Sequence, residues 1–142
     1  MEKINIIRER VVEELSSQPS KDDRFKALVE KGKVIGGLPD EERDDKFLIK
    51  GCMSKAWLIP RFEEGRLYFK ADSEAVIVKG IISVLVEVYS GHEPSEILSV
   101  DPSFLRDAGI EEALSMNRRS GLANMTKQIM LYAATYKALS QS

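Results

Sequence analysis

Apolar residues at Ile4, Ile7, Val11 and Leu15, with Ile6 and Val12 beside them, recur at helical spacing, while Arg8, Glu9, Glu13 and Glu14 take the opposite positions. This pattern predicts a first amphipathic helix of about three turns. Ser16-Ser-Gln-Pro19 ends it. Ser20, with Asp23 three residues on, predicts the cap of a second helix that carries Phe25, Leu28 and Val29 on one face and stops near Gly32. Gly36-Gly37-Leu38-Pro39 breaks the periodicity. The next segment, Asp40-Glu-Glu-Arg-Asp-Asp45, reads as a solvated charge run, with a single helical turn as the alternative.

The chain then turns apolar at Phe47-Leu48-Ile49, a short strand candidate. Lys55 to Arg61 and Arg66 to Lys70 are rich in aromatic and branched residues around the turn-forming Phe62-Glu-Glu-Gly65, which predicts a β-hairpin. Pro60 points to an edge position or a bulge. Asp72 or Ser73 is placed to cap a helix from about Glu74 to Tyr89, apolar around nearly its whole circumference and so a central strut. Gly91 closes it, and Pro94 and Pro102 each open a short connector helix. Ser115 or Asn117 starts a last helix, in which Leu122, Met125, Ile129, Tyr132 and Tyr136 repeat at helical spacing. No internal repeat and no low-complexity tract interrupts this order.

Length adds that the 142 residues fit a single domain, 1–142, large enough to bury a core without disulfides or metal. A hydrophobic share of 43% and a charged share of 31% are those of a folded globular protein. The net charge is −2 and the basic residues are scattered among acids, so no nucleic-acid footprint is visible. The N-terminal Met1-Glu-Lys-Ile-Asn-Ile-Ile-Arg-Glu-Arg10 lacks the apolar core of a signal peptide. The most apolar stretch, Ala75 to Tyr89, is interrupted by Lys79 and Glu87 and is too short to span a bilayer. With one cysteine and hence no intrachain disulfide, the expected compartment is the reducing cytoplasm, with no membrane and no nucleic-acid partner.

The chemistry concentrates in Lys50 to Leu58, which holds the only cysteine, Cys52, and the only tryptophan, Trp57. Lys50 and Lys55 would favour the nucleophilic thiolate if they face the sulfur, and Gly51 clears one side of the approach. The opposite reading, a buried cysteine acting as a small hydrophobe, stays open on these residues alone. His92, the single histidine, lies beyond a hairpin and a helix from Cys52 and reads as a surface-loop residue, so no metal site is expected. The glycines at 32, 36 and 37 lack the Lys-Ser/Thr of a phosphate loop. Arg118 and Arg119 stand at the start of the last helix, where the dipole disfavours cations; either an acid holds them or they simply reach solvent.

Gly51-Cys-Met-Ser-Lys-Ala-Trp57, Asp72-Ser-Glu-Ala-Val-Ile-Val-Lys-Gly80 and Asn117-Arg-Arg-Ser-Gly-Leu122 resemble, in order, segments of the SufE family of cysteine desulfuration proteins. Leu38-Pro-Asp-Glu-Glu-Arg43 and Tyr89-Ser-Gly-His-Glu-Pro-Ser-Glu-Ile-Leu98 add to the resemblance, which spans most of the chain. It implies an α+β fold shared with IscU-type scaffolds, with a small antiparallel sheet of about three strands packed against several helices. It also implies that Cys52 accepts persulfide sulfur from a SufS/CsdA-type cysteine desulfurase, stimulates that enzyme and passes sulfur to an iron–sulfur scaffold. The pyridoxal phosphate is then the partner's, and this chain carries no cofactor and no metal.

By the same matching, Arg118 corresponds to the family arginine near the active loop. Gly51, Met53, Ser54, Asp72, Ser73 and Glu74 correspond to loop-supporting or partner-binding positions. Met53 stands where the family pattern has glutamine, and Phe47 where asparagine is common. A monomer and a homodimer are both compatible with the sequence. The alternative function is a non-catalytic adaptor that binds the desulfurase or the iron–sulfur machinery, with Cys52 structural. A thiol redox sensor is a third, and it needs a resolving thiol from elsewhere.

Overall fold

A computed structural model describes residues 2–52 and 54–140. The first helical periodicity becomes α1 (Ile4–Ser16), with Ile4, Ile7, Val11 and Leu15 buried as the spacing predicts. The second becomes α2 (Lys21–Val34), capped by the Ser20 hydroxyl accepting from the Asp23 N–H at 3.1 Å. Two details differ from the sequence reading. Phe25 is exposed, and Gly32 does not stop the helix but lies buried within it. Its purpose is contact: a methyl group on Gly32 would lie 2.8 Å from the Gly80 backbone nitrogen, and one on Gly80 would lie 2.1 Å from the Leu28 carbonyl oxygen. Two glycines thus let the backbones of α2 and the next long helix approach closely.

That helix, α3 (Val76–Tyr89), buries ten of its residues. It follows a hairpin of β1 (Ala56–Glu63) and β2 (Arg66–Ser73), paired antiparallel from Ala56 opposite Ser73 to Glu63 opposite Arg66. Glu64 and Gly65 both have positive φ, the two-residue hairpin turn whose twist matches the strands. Among the described residues the sheet has two strands rather than about three. Phe47–Ile49 is reduced to one bridge, Leu48 to Trp57, because the Asp44 carboxylate accepts from the Lys46 N–H and folds Asp45–Phe47 into a 3₁₀ turn. The preceding charges likewise form a one-turn 3₁₀ helix, Asp40–Glu42, rather than an unstructured solvated loop. Asp72 and Ser73 end β2 instead of capping α3, whose first turn begins after Ala75.

Two short helices, α4 (Pro94–Ser99) and α5 (Phe104–Asp107), connect to α6 (Met116–Ser140). Glu93 and Glu96 close a reciprocal capping box on α4. The Ser115 hydroxyl accepts from the Arg118 N–H at the start of α6. Gly121, Leu122, Met125, Ile129 and Ala133 form the buried face of α6. Tyr132 tilts against Phe69 and Tyr136 stacks on Phe62, with ring centroids 6.2 and 5.2 Å apart. The hairpin is therefore clamped at its far end by aromatic packing, which fixes where its near end presents the cysteine loop.

Candidate functional site: the Cys52 pocket

The loop carrying Cys52 is tied at both ends. Before it, the Ile49 N–H donates to the Ala56 carbonyl at 2.9 Å. After it, the Lys55 carbonyl accepts from the Ser73 hydroxyl at 2.8 Å and from the Glu74 N–H at 3.1 Å. Between these ties Gly51 adopts φ +82°, a conformation that a residue with a side chain rarely takes, and turns the chain toward α6. Cys52 sits half-buried, its thiol donating to the Gly121 carbonyl across 3.7 Å.

A cavity of about 220 Å³ surrounds the sulfur, lined by Ser54, Val78, Ser115, Asn117, Arg118, Gly121 and Met125 along with Cys52 itself. The sequence-predicted Cys52, Ser54 and Arg118 thus meet in one place. Met53 lies outside the described residues. Val76 (63% exposed) and Met116 (75% exposed), at the starts of α3 and α6, leave apolar surface at the two helix ends that contribute to the pocket.

Burial pushes the Cys52 thiol up from its ordinary range. Its hydrogen-bond partner among the described residues, the Gly121 carbonyl, reinforces the neutral form, since a carbonyl oxygen accepts from S–H but repels a thiolate. Lys50 and Lys55 are exposed and neither lines the pocket, so the condition on which they would favour the thiolate, that they face the sulfur, is not met. Arg118 lines the pocket and is exposed, with no ion-pair partner among the described residues, so of the two readings left open it is the one in which the side chain reaches solvent. Arg119 is held instead by a main-chain oxygen, its Nε donating to the Glu111 carbonyl at 2.8 Å. Among the described residues no three His, Cys, Asp or Glu side chains gather where they could hold a metal ion.

Asp72, Ser73 and Glu74 do not line the cavity. Asp72 is 1% exposed and accepts from the Leu38 N–H (2.9 Å), Arg43 Nη2 (2.7 Å) and the Ser73 N–H (2.8 Å), with Lys79 Nζ 3.4 Å away. Burial alone would raise its carboxyl, but the Leu38, Arg43 and Ser73 hydrogen bonds and the Lys79 charge together hold it below the usual carboxylate range. Arg43 also lies over the Trp57 ring, 5.2 Å from its centroid. These residues brace the hairpin end from which the cysteine loop springs. Ser73 and Glu74 support the loop directly, through their bonds to Lys55.

His92 corrects a second expectation. It is 1% exposed rather than a surface-loop residue, because Leu67 of β2 bridges to it through the Leu67 N–H and the His92 carbonyl, 2.9 Å apart. Its Nε2 is buried without a hydrogen-bond partner among the described residues. Burial pushes its pKa down, Glu96 opposes that and Arg66 adds to it.

Sequence reasoning missed Arg43, which it read as part of a solvated run, and the roles of Gly121 and Asn124. Gly121, Asn124 and Met125 stand at helical i, i+3 and i+4 positions and so share one face of α6, a spacing visible in the sequence. That this face meets the cysteine loop is a tertiary fact.

Helices packed against a short hairpin, with the one thiol on the loop that feeds it, define a class of small α+β proteins. The chain belongs to the SufE family: its family model, described as an Fe-S metabolism associated domain, matches residues 9–133. It is 34% identical over 113 residues to a SufE-like protein of Rhizobium etli, covering 76% of each chain. It is 26% identical over 133 residues to a SufE-like protein of Synechocystis, covering 94% of this chain and 83% of that one. A protein of Plasmodium falciparum named cysteine desulfuration protein SufE is 31% identical over 106 residues, which are 71% of this chain and 43% of that one. The fold matches the solution structure of a Thermus thermophilus protein with a TM-score of 0.77 at 23% identity, covering 94% and 96% of the two chains. The role of this chain lies in Fe-S metabolism.

Proposed function

We propose that this chain is a sulfur acceptor: Cys52 takes the outer sulfur of a persulfide on a cysteine desulfurase and carries it toward iron–sulfur cluster assembly. The Cys52 thiolate attacks the outer sulfur in line. A new S–S bond forms to Cys52 and the donor S–S bond breaks, with the partner thiolate leaving on its electron pair; the Cys52 proton goes to solvent. No external oxidant is required. Pyridoxal phosphate acts on the partner, and the reaction belongs in a reducing cytoplasm.

The observation that carries this reading is the setting of Cys52 within a SufE-family chain: a loop tied at both ends, turned by Gly51, with a pocket around the sulfur. The pocket favours the protonated, unreactive thiol, so sulfur is accepted with the loop out and sheltered with the loop in. Arg118 is the cation closest in role to the reaction, lining the pocket and free to attract the anionic persulfide. Ser54 offers a hydroxyl at the same wall.

A half-buried protonated thiol is also what the adaptor reading expects, and one measurement separates the two. Incubation with a cysteine desulfurase and cysteine is expected to add one sulfur to the intact mass, removable by reductant, and Cys52→Ser is expected to lose both this adduct and desulfurase stimulation. No adduct on wild type, with stimulation unchanged in Cys52→Ser, establishes the adaptor.

A further inference from the structure

The cysteine loop touches α6 at two successive points. At one, the Cys52 thiol meets the Gly121 carbonyl. At the other, the Asn124 carboxamide presses on Gly51: a methyl group built on Gly51 would lie 2.3 Å from Asn124 Nδ2 and 3.0 Å from its Cγ. Asn124 therefore occupies the space that the absent side chain of Gly51 leaves, beside the residue whose φ of +82° turns the loop inward. Gly121 and Asn124 are one helical turn apart, so a single face of α6 holds both the sulfur and the residue before it.

The two contacts differ in kind. The thiol bond is long and weak, and a thiolate cannot make it. The Gly51–Asn124 contact is close, independent of the protonation of the sulfur, and made only while the loop lies in. We infer that Asn124 is the positioning residue that latches the Cys52 loop in its retracted state and so sets the fraction of molecules presenting the thiol. This rests on the acceptor reading for its purpose, but the latch itself is a property of the isolated chain. Because Asn124 stabilises the retracted state alone, removing it raises the exposed fraction, and any reaction of the exposed thiol accelerates in proportion.

The test is alkylation of Cys52 by iodoacetamide in the full chain without a desulfurase, followed by intact mass; with one cysteine the adduct is unambiguous. Asn124→Ala is expected to react about fivefold faster than wild type, the ratio a single modest contact supports. Its alkylation pH profile should move to lower pH, because burial is what raises the thiol. Its urea midpoint should fall in step with the lost contact, while its alkylation rate should stay nearly flat in urea below the unfolding transition, as a local opening requires. Gly51→Ala should accelerate alkylation further, and should add less in the Asn124→Ala background, where the overlapping amide is gone. Lys127→Ala, exposed on the same helix, serves as control and should leave the rate unchanged.

The latch is overturned if Asn124→Ala alkylates at the wild-type rate, if its alkylation climbs with urea as steeply as global unfolding does, or if Lys127→Ala accelerates equally. Failure of persulfide formation in the desulfurase assay leaves this result untouched, and failure here leaves the acceptor reading untouched.

Discussion

Two sites meet at the open end of the hairpin and are built on opposite terms. Around Asp72 a buried carboxylate is saturated, with two main-chain N–H groups, a guanidinium and an ammonium directed at it. Around Cys52, among the described residues, the one hydrogen bond of the sulfur is a long thiol–carbonyl contact and the cation in the pocket has no ion-pair partner. Consecutive residues of α3 serve the two sites, Val78 lining the cavity and Lys79 facing Asp72. The difference teaches how a reactive group is kept accurate: the base beneath it is over-determined while the sulfur itself is held by few contacts.

Cutting the base should produce the larger change in stability. Asp72→Ala leaves Leu38 without its acceptor and separates Arg43 and Lys79 from their shared anion. We expect a loss of about 3 kcal/mol in urea unfolding, moderated because both cations can reach water. The sign of the pH dependence follows from the lowered carboxyl: its contribution is complete above the unfolded carboxylate pKa near 4 and is lost as pH falls through the folded value. Wild type should therefore show an acid-induced loss of stability below about pH 4 that Asp72→Ala lacks. A stability equal to wild type in Asp72→Ala would remove the contrast altogether.

At the loop the expectation reverses. Arg118→Ala should slow sulfur acceptance from a desulfurase roughly tenfold through loss of electrostatic attraction, with the urea midpoint unmoved. An equal effect on stability would place Arg118 with the base rather than the pocket. The smallest change concerns His92, outside both sites. Because burial lowers its pKa, the folded protein resists its protonation, so stability declines as pH falls below about 6.5, the value in the unfolded chain. Thermal melts between pH 7 and 5 should show this slope in wild type and a flatter one in His92→Leu, a change of about 1 kcal/mol or less.

Much of this was legible along the chain. The buried positions of α1, the Ser20 cap, the hairpin, the all-round apolar α3 and the spacing of α6 are local patterns, and local patterns survive folding because backbone periodicity produces them. The order of segments around Gly51-Cys52, the 72–80 stretch and the 117–122 stretch also identified the family that the family model bears out. What failed depended on neighbours distant in sequence. Arg43 looked solvated because Asp72 lies 29 residues away, and His92 looked exposed because Leu67 covers it from another strand. The third strand shortened to a bridge because side-chain bonding by Asp44 overrode the apolar run that follows.

By itself, the sequence determined the elements through their spacing, while the α+β class and the expectation that the chemistry turns on Cys52 came from the resemblance of ordered segments to the SufE family. Only the tertiary structure decided that this thiol lies half-buried against the Gly121 carbonyl of α6, that neither Lys50 nor Lys55 lines its pocket, and that Asn124 fills the space beside Gly51. Those outcomes depend on which surfaces exclude water from the sulfur and which atoms fill the gap a glycine leaves, and both are properties of packed neighbours rather than of order along a chain.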